Sequence, residues 1–482
     1  MSKRILFLLG SADISGGTYV ILQHAAYLHD AGHQVTVALV YMPMESFSQM
    51  RSSASCWHPA IKQLRFISMD DAAHEVYDVA IFTWWATLFS YPKIKADCFL
   101  YFVQSIESRF YPADDTFLCQ LVDRTYELGL PVITEATWIK EYLRKHYHPT
   151  VHLVKNGIEK KYYTTDGTQL AEKSTSSLRV LVEGPVEVTH KNVKKTIELC
   201  LAANVGEVWL LTSSDIQSYP GVSRVFSRIP IAKVGEIYRS CDVLVKLSYV
   251  EGMFGPPLEM FHCGGTAIVY NVTGYEEYIQ NHYNAIVLEK GNEQAVIDSL
   301  KHLHSDRHLL ASLQQGALET AASWMNWQSS SQQFERAMLE VLNSPFGMPA
   351  LTQRYENLLN EYIRVVVMQH DQKDDMTFTA EPLPDVGFYG MTIPVVGAEA
   401  NIGLVFGLKY KLIFIKSIQL IGDEKGEQPT VAVQPTGMKL VGKNMYQSMT
   451  DVGMLLARYV HPDIKSTKEY QLRIEFRPVL LR

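Results

Sequence analysis

The chain has 482 residues, too many for one ordinary domain and enough for two or three. Its 44 Lys plus Arg against 51 Asp plus Glu give a net charge of −7, which argues against a nucleic-acid partner, since such partners leave a basic footprint. No apolar run is long enough to span a bilayer, and six scattered cysteines without a C-x-x-C pair read as reduced, buried thiols of a cytosolic protein.

In chain order, Lys3–Leu9 reads as a buried strand; the apolar run is too short for a signal peptide and leads straight into a loop. That loop, GSADISGG, opens a helix over Tyr19–Ala31, which Gly32 stops. Gln34–Tyr41 is the next strand, completing a βαβ start. Gly10, Gly16 and Gly17 do not spell G-x-G-x-x-G, so this is no dinucleotide fingerprint. The Gly16-Gly17 pair is a tight turn that, by opening a helix, can also approach a phosphate. YDVAIFTWW and DCFLYFVQ are two more strands. Gln104 and Glu107 follow the second of them, at the end where open α/β sheets bind ligands.

The Thr137–Tyr147 helix sets Trp138, Ile139, Tyr142 and Leu143 against Lys140, Arg144 and Lys145. It is a surface helix packed on its domain or, in a sharper reading, a weak membrane-surface contact. Asn156-Gly157 is a turn signal. A first domain over residues 1–165 is followed by a polar linker, Asp166–Ser177.

The second domain, residues 178–343, starts with the strand Leu178–Gly184. Lys191, with His190, Lys194 and Lys195, then stands near a helix start at the carboxyl end of that strand. It is either a point charge for phosphate or part of a solvated face. Cys241–Ser248 is a buried strand, and YVEGMFGPPLEMFHCGG follows it. Glu251 and Glu259 flank a Gly-Pro-Pro turn there. Gly252 and Gly255 let the backbone turn tightly, a proline suits the first helical turn, and the helix start favours phosphate. One glutamate precedes the helix and the other lies in its first turn, so the two address different parts of one ligand. Trp324–Leu342 is a long helix with an apolar stripe of Trp327, Phe334, Met338 and Leu342.

Residues 351–372 read as a helical connector that packs on the preceding domains or on a second subunit, which leaves a homo-oligomer open. After a polar break at Lys373–Asp375, residues 376–482 take on a β-sandwich-like texture. YQLRIEF alternates apolar and charged residues, KLIFIKSIQLIG is a strand with a bulge, and GDEKGEQ is a turn. Phe388, Tyr389, Tyr446 and Tyr459 are core residues or, in the sharper reading, platforms for sugars.

Glu251 and Glu259 stand at E-x7-E spacing within a G-x-F-G-x-P-x-x-E-x-x-x-C-G pattern (Gly252, Phe254, Gly255, Pro257, Glu259, Cys263, Gly264). This resembles the signature of GT-B glycosyltransferases, in particular the GT4 group. The resemblance covers roughly residues 1–343. It implies an α/β GT-B fold of two Rossmann-like domains facing a cleft, here with a C-terminal β-sandwich-like domain added. The first domain is then the acceptor side, the second the donor side, and the last helix returns to the first domain. The implied activity moves a sugar from a nucleotide-diphosphate sugar to a glycan hydroxyl, with retention and without a metal. The nucleotide sugar is a co-substrate, and no further cofactor is implied.

Under this resemblance Glu251 contacts the donor sugar and Glu259 the nucleotide ribose. Gly16, Gly17, Lys191, Gly252, Met253, Phe254, Gly255 and Pro256 line the donor. The chain departs from the family pattern twice: Pro185 stands where an Arg is common, and no histidine stands beside Gln104. Gln104 or Glu107 takes that histidine's place, or the acceptor is held there. YFVQSIESRFYP, with TYELGLPVITEATWIKEYLRKHY, resembles a rhamnosyltransferase-containing subgroup of bacterial surface-glycan assembly. That implies a glycan or lipid-linked glycan acceptor and a cytoplasmic protein at the inner face of the membrane. Two alternatives share the architecture: a nucleotide-sugar epimerase, and a non-catalytic glycan-binding protein.

Overall fold

The computed structural model describes residues 2–53, 56–111, 113, 116–147, 149–344, 348–362, 364–369, 376–379, 381–382, 388–396, 399–406, 412–421, 431–436, 438–442, 445–448, 454–460 and 469–479. Two compact units divide the chain. One comprises Met1–Ile106 and Leu130–Pro345, the other Glu107–Gly129 and Phe346–Arg482. The segment 107–129, which a linear reading assigns to the first domain, therefore groups with the tail.

The first unit holds two parallel sheets. In the first, β1 (Arg4–Leu9), β2 (Gln34–Leu39), β3 (Arg65–Ser68), β4 (Val76–Phe82), β5 (Lys95–Val103), β6 (Val132–Thr134) and β7 (Val151–Leu153) lie in the order β3-β2-β1-β4-β5-β6-β7. In the second, β8 (Leu178–Glu183), β9 (Gly206–Thr212), β10 (Arg224–Ser227), β11 (Val243–Lys246), β12 (Thr266–Tyr270) and β13 (Ala285–Leu288) lie in the order β10-β9-β8-β11-β12-β13. Both sheets reverse direction beside their first strand, so each has a switch point: β1 beside β4, and β8 beside β11. Ligands of open α/β sheets bind outside the carboxyl ends of the strands at such points.

Helices cover both faces of parallel sheets, which is why these strands read as continuous apolar runs. Ile5, Leu6, Phe7 and Leu8 of β1 and Val243, Leu244 and Val245 of β11 are fully buried. The Gly16–Asp30 helix starts at Gly16, where the Ser15 side chain accepts from the Thr18 amide at 3.0 Å. The Trp327–Leu342 helix packs Phe334 and Met338 into the core of the first sheet, against Phe7 and Phe102. His24 stacks on Phe334 at 4.3 Å, and burial pushes its imidazole down to about 3, so it is a neutral core residue.

The polar 166–177 segment is bound to the second sheet's half rather than loose. Arg239 donates to the Tyr162, Thr164 and Thr168 carbonyls at 3.0–3.2 Å, and Arg179 donates to those of Ala171 and Glu172. Cys98, Cys200, Cys241 and Cys263 are buried thiols. Among the described residues no helix is long and apolar enough to cross a membrane.

In the second unit the Met348–Tyr362 helix gives way to a strand, Arg364–Gln369, where a helical connector over residues 351–372 is expected. The β-branched run Val365–Val367 favours this, and it pairs antiparallel with Leu404–Phe406. Among the described residues two antiparallel sheets follow, one of five strands and one of six. Leu412–Ile421 joins the latter with a register shift between Ile415 and Ser417. On Glu469–Val479, Leu472, Ile474 and Phe476 are buried and Arg473, Glu475 and Arg477 are half-buried. Tyr389 is a core residue and Phe388 is half-buried. Tyr446 sits opposite Ile413, and Tyr459 opposite Val431 and Ala400. The 373–375 break and the 422–428 turn lie outside the described residues.

Candidate active site between two sheets

In the second sheet, β8 and β11 each end on a charged residue, Glu183 and Lys246. Lys246 is buried, with Nζ 2.5 Å from Glu183 Oε2 and 3.2 Å from the Glu183 carbonyl. Five residues beyond Lys246, Glu251 is also buried. Its Oε2 accepts from Lys191 Nζ at 2.7 Å, and its Oε1 lies 4.0 Å from Lys246 Nζ. Lys191 reaches it from the short turn Thr189–Lys191, which follows β8 and ends at Asn192 in a left-handed conformation (φ 55°). Burial works to raise the Glu251 pKa, but the two ammonium groups outweigh it and hold the carboxyl below its ordinary value. Burial likewise opposes the charge on Lys246, and Glu183 with Glu251 more than offsets it, raising its pKa.

Gly252 packs tightly against the first sheet's half. A Cβ there would lie 1.9 Å from the Gln104 carbonyl oxygen, so only glycine fits. Its own carbonyl accepts from the Trp138 indole at 2.9 Å. Glu135, directly after β6, takes the Met253 amide at 3.0 Å on Oε1 and the Asn156 side-chain amide at 2.9 Å on Oε2. Burial first, then the Glu251 charge, pushes Glu135 up to about 7. Glu277 fastens the halves again, accepting from the Thr137 amide at 2.5 Å and pairing with Lys155 at 2.7 Å.

The Gly255–His262 helix begins at Gly255, so Glu259, expected in the first turn, is its fifth residue and lies one turn in. Burial and the Glu183 charge push that carboxyl up to about 7, and the Tyr163 and Tyr238 hydroxyls flank it. Tyr19, from the first half's helix, feels the Glu259 charge as well. Gly255 and Pro256 are half-exposed and nothing stands within 4 Å of the place a Gly255 Cβ would take. Pro256 and Pro257 have no N–H, so the bare amides a helix start would offer are fewer here than the Gly-Pro-Pro turn implies. Met253 and Phe254 are buried; the Met253 amide is spent on Glu135, and the Phe254 carbonyl accepts from the Tyr278 hydroxyl.

Across from these, the Gln104 side chain donates to the Gly17 carbonyl at 3.3 Å, and Gly16 is open, with nothing within 4 Å of a Cβ. The structure thus brings Gly17, Gln104, Lys191, Glu251 and Gly252 into one first-unit neighbourhood, with Gly255 and Glu259 on the adjoining helix. Glu107 differs: it is buried at the start of the Glu107–Phe110 turn, its amide donates to the Tyr126 hydroxyl, and it belongs to the second unit.

Three residues escaped the linear reading: Glu135, Glu183 and Lys246. All carried one signal, an ionisable side chain at the end of a buried apolar strand.

Two Rossmann-like sheets facing each other across these strand ends define the GT-B fold. Solved structures share it across most of the chain. Sucrose-phosphate synthase from Thermosynechococcus elongatus superposes with a TM-score of 0.52 at 15% identity, covering 70% of this chain and 98% of its own. HepE from Anabaena, solved in complex with UDP-glucose, gives 0.55 at 13% identity, covering 70% and 100%. WaaG, a glycosyltransferase involved in lipopolysaccharide biosynthesis, gives 0.52 at 15% identity, covering 71% and 100%. At these identities the likeness is one of fold. In sequence, residues 219–320 match the family model described as glycosyl transferases group 1, a segment that contains both Glu251 and Glu259. No curated protein matches the chain in sequence.

Proposed function

We propose that this chain is a glycosyltransferase that moves a sugar from a nucleotide-diphosphate sugar to a hydroxyl of a glycan. The observation that carries this reading is Glu251, a buried carboxylate kept ionised by two lysines where the strand ends of both sheets converge. The family match over residues 219–320 supports it. Sugar transfer must stabilise a leaving diphosphate and a sugar that gains positive charge. Lys191 and the Gly255 amide supply the cationic side. Glu251 accepts hydrogen bonds from donor-sugar hydroxyls. Glu259 is part-protonated near neutral pH and suits a vicinal diol such as a ribose, where it both donates and accepts. Gln104 and the Gly16-Gly17 turn approach the donor from the other half.

The finer assignments rest on the resemblance: retention, no metal, and a bacterial surface glycan, free or lipid-linked, as acceptor, with a hexose or a deoxyhexose such as rhamnose as the sugar. A thermal-shift panel of nucleotide sugars tests the reading, because a donor that binds the native state stabilises it by mass action. The expected result is a raised melting temperature for one nucleotide family and radiolabel transfer to a glycan acceptor. Stabilisation by none of them would overturn the proposal, and epimerised sugar in the absence of acceptor would favour the epimerase.

A further inference from the structure

We propose that Lys246 is a positioning residue that keeps Glu251 ionised when Lys191 turns from Glu251 to the donor's phosphates. This rests on the donor-site reading above. The four side chains alternate in charge, Glu183–Lys246–Glu251–Lys191, at 2.5, 4.0 and 2.7 Å. Of the two lysines Lys191 is the accessible one, with its side chain 24% exposed against 3% for Lys246. It is the lysine that can swing to an anion entering the cleft. Lys246 cannot follow, because Glu183 holds its ammonium through both carboxylate and carbonyl. Each Glu251 oxygen faces a different lysine, so loss of the Lys191 contact leaves the Lys246 side intact.

Without Lys246, a Glu251 stripped of Lys191 is a buried carboxylate with no cation beside it, and it takes up a proton. A protonated Glu251 offers one acceptor fewer to the sugar hydroxyls. The groups facing Glu251 are Lys191 and His190 from the turn after β8, Lys246 and Ser248 at the end of β11, Glu135 after β6, and Tyr278, whose hydroxyl burial keeps protonated. His190 is pushed down to about 4 by burial and by Lys191, so it brings no charge at neutral pH. Glu135, itself raised, adds none when protonated. Among the described residues Lys246 is the remaining cation that acts on Glu251.

The test reads the Glu251 carboxyl directly, by 13C NMR titration of side-chain-labelled glutamate in the full chain, with E251Q assigning the signal. Because Lys246→Met alone strands Glu183, the comparison is made in an E183Q background. In E183Q/K191A the Glu251 titration is expected to lie about one to three units below that of E183Q/K191A/K246M, and Lys246→Arg should restore it. With a donor in hand, the acid limb of the kcat/KM profile of E183Q/K246M should move up in pH relative to E183Q. Coincident Glu251 titrations with and without Lys246, in variants that keep the native melting transition, would overturn the inference. The NMR readout needs no donor. An intact Lys246 effect without binding of any nucleoside diphosphate would count against the transferase reading alone.

Discussion

At the carboxyl ends of its strands the second sheet carries Glu183 and Lys246, with Lys191 and Glu251 on the loops just beyond, all linked in charge pairs. The first sheet ends instead on Gln104, an amide, and on Glu135, a carboxyl raised to about 7 that accepts amide hydrogens. Both sheets share one topology around their switch points. The shared topology sets where a ligand meets the sheet, and the strand-end side chains set what that place can bind. Under the proposed function, the half with paired charges meets the donor's phosphates and the half with Gln104 and Glu135 meets hydroxyls.

Substitutions on either side sharpen or break this contrast. Glu251→Gln removes the central carboxylate at constant shape and should lower kcat by about a hundredfold or more; near-normal turnover in a radiolabelled transfer assay would remove Glu251 from the chemistry. Lys191→Ala should weaken nucleoside-diphosphate binding by about tenfold to a hundredfold in calorimetry. An equal loss in Gln104→Ala would erase the division of labour between the halves.

Gly252→Ala places a methyl group against the Gln104 backbone carbonyl and should destabilise the fold by about 1–3 kcal/mol. Gly16→Ala, in open space, should leave the melting temperature nearly unchanged. Two equal melting temperatures would mean that the halves do not meet at Gly252.

The smallest effect concerns pH. The folded-state pKa of Glu135, about 7, lies above its ordinary value of 4.5. The unfolded chain therefore releases this proton first, and stability present below about pH 4.5 is lost as pH rises towards 7. Glu259 adds to the same window. Glu135→Gln should gain in melting temperature relative to the parent chain from pH 5 to pH 8, since Asn156 can turn its amide to meet the new donor. A difference that is flat in pH would show that Glu135 stays ionised across this range.

Local pattern was enough to read much of this protein. Continuous apolar runs announce parallel strands covered on both faces, and the Gly-Pro-Pro turn between Glu251 and Glu259 marks a loop-to-helix corner at a strand end. These properties depend on near neighbours in sequence. The Arg364–Gln369 strand differs from the expected helix because a run of apolar residues fits helix and strand alike until its pairing partner, Leu404–Phe406, is known. Lys246 and Glu183 were invisible as a pair for a related reason. They lie 63 residues apart and meet only because β8 and β11 are neighbours at the switch point. The Glu135 contact with Met253, 118 residues away, likewise needs the second sheet to face the first. Charge pairing in a buried site acts through space over a few ångströms, and folding, not sequence distance, sets which groups come that close.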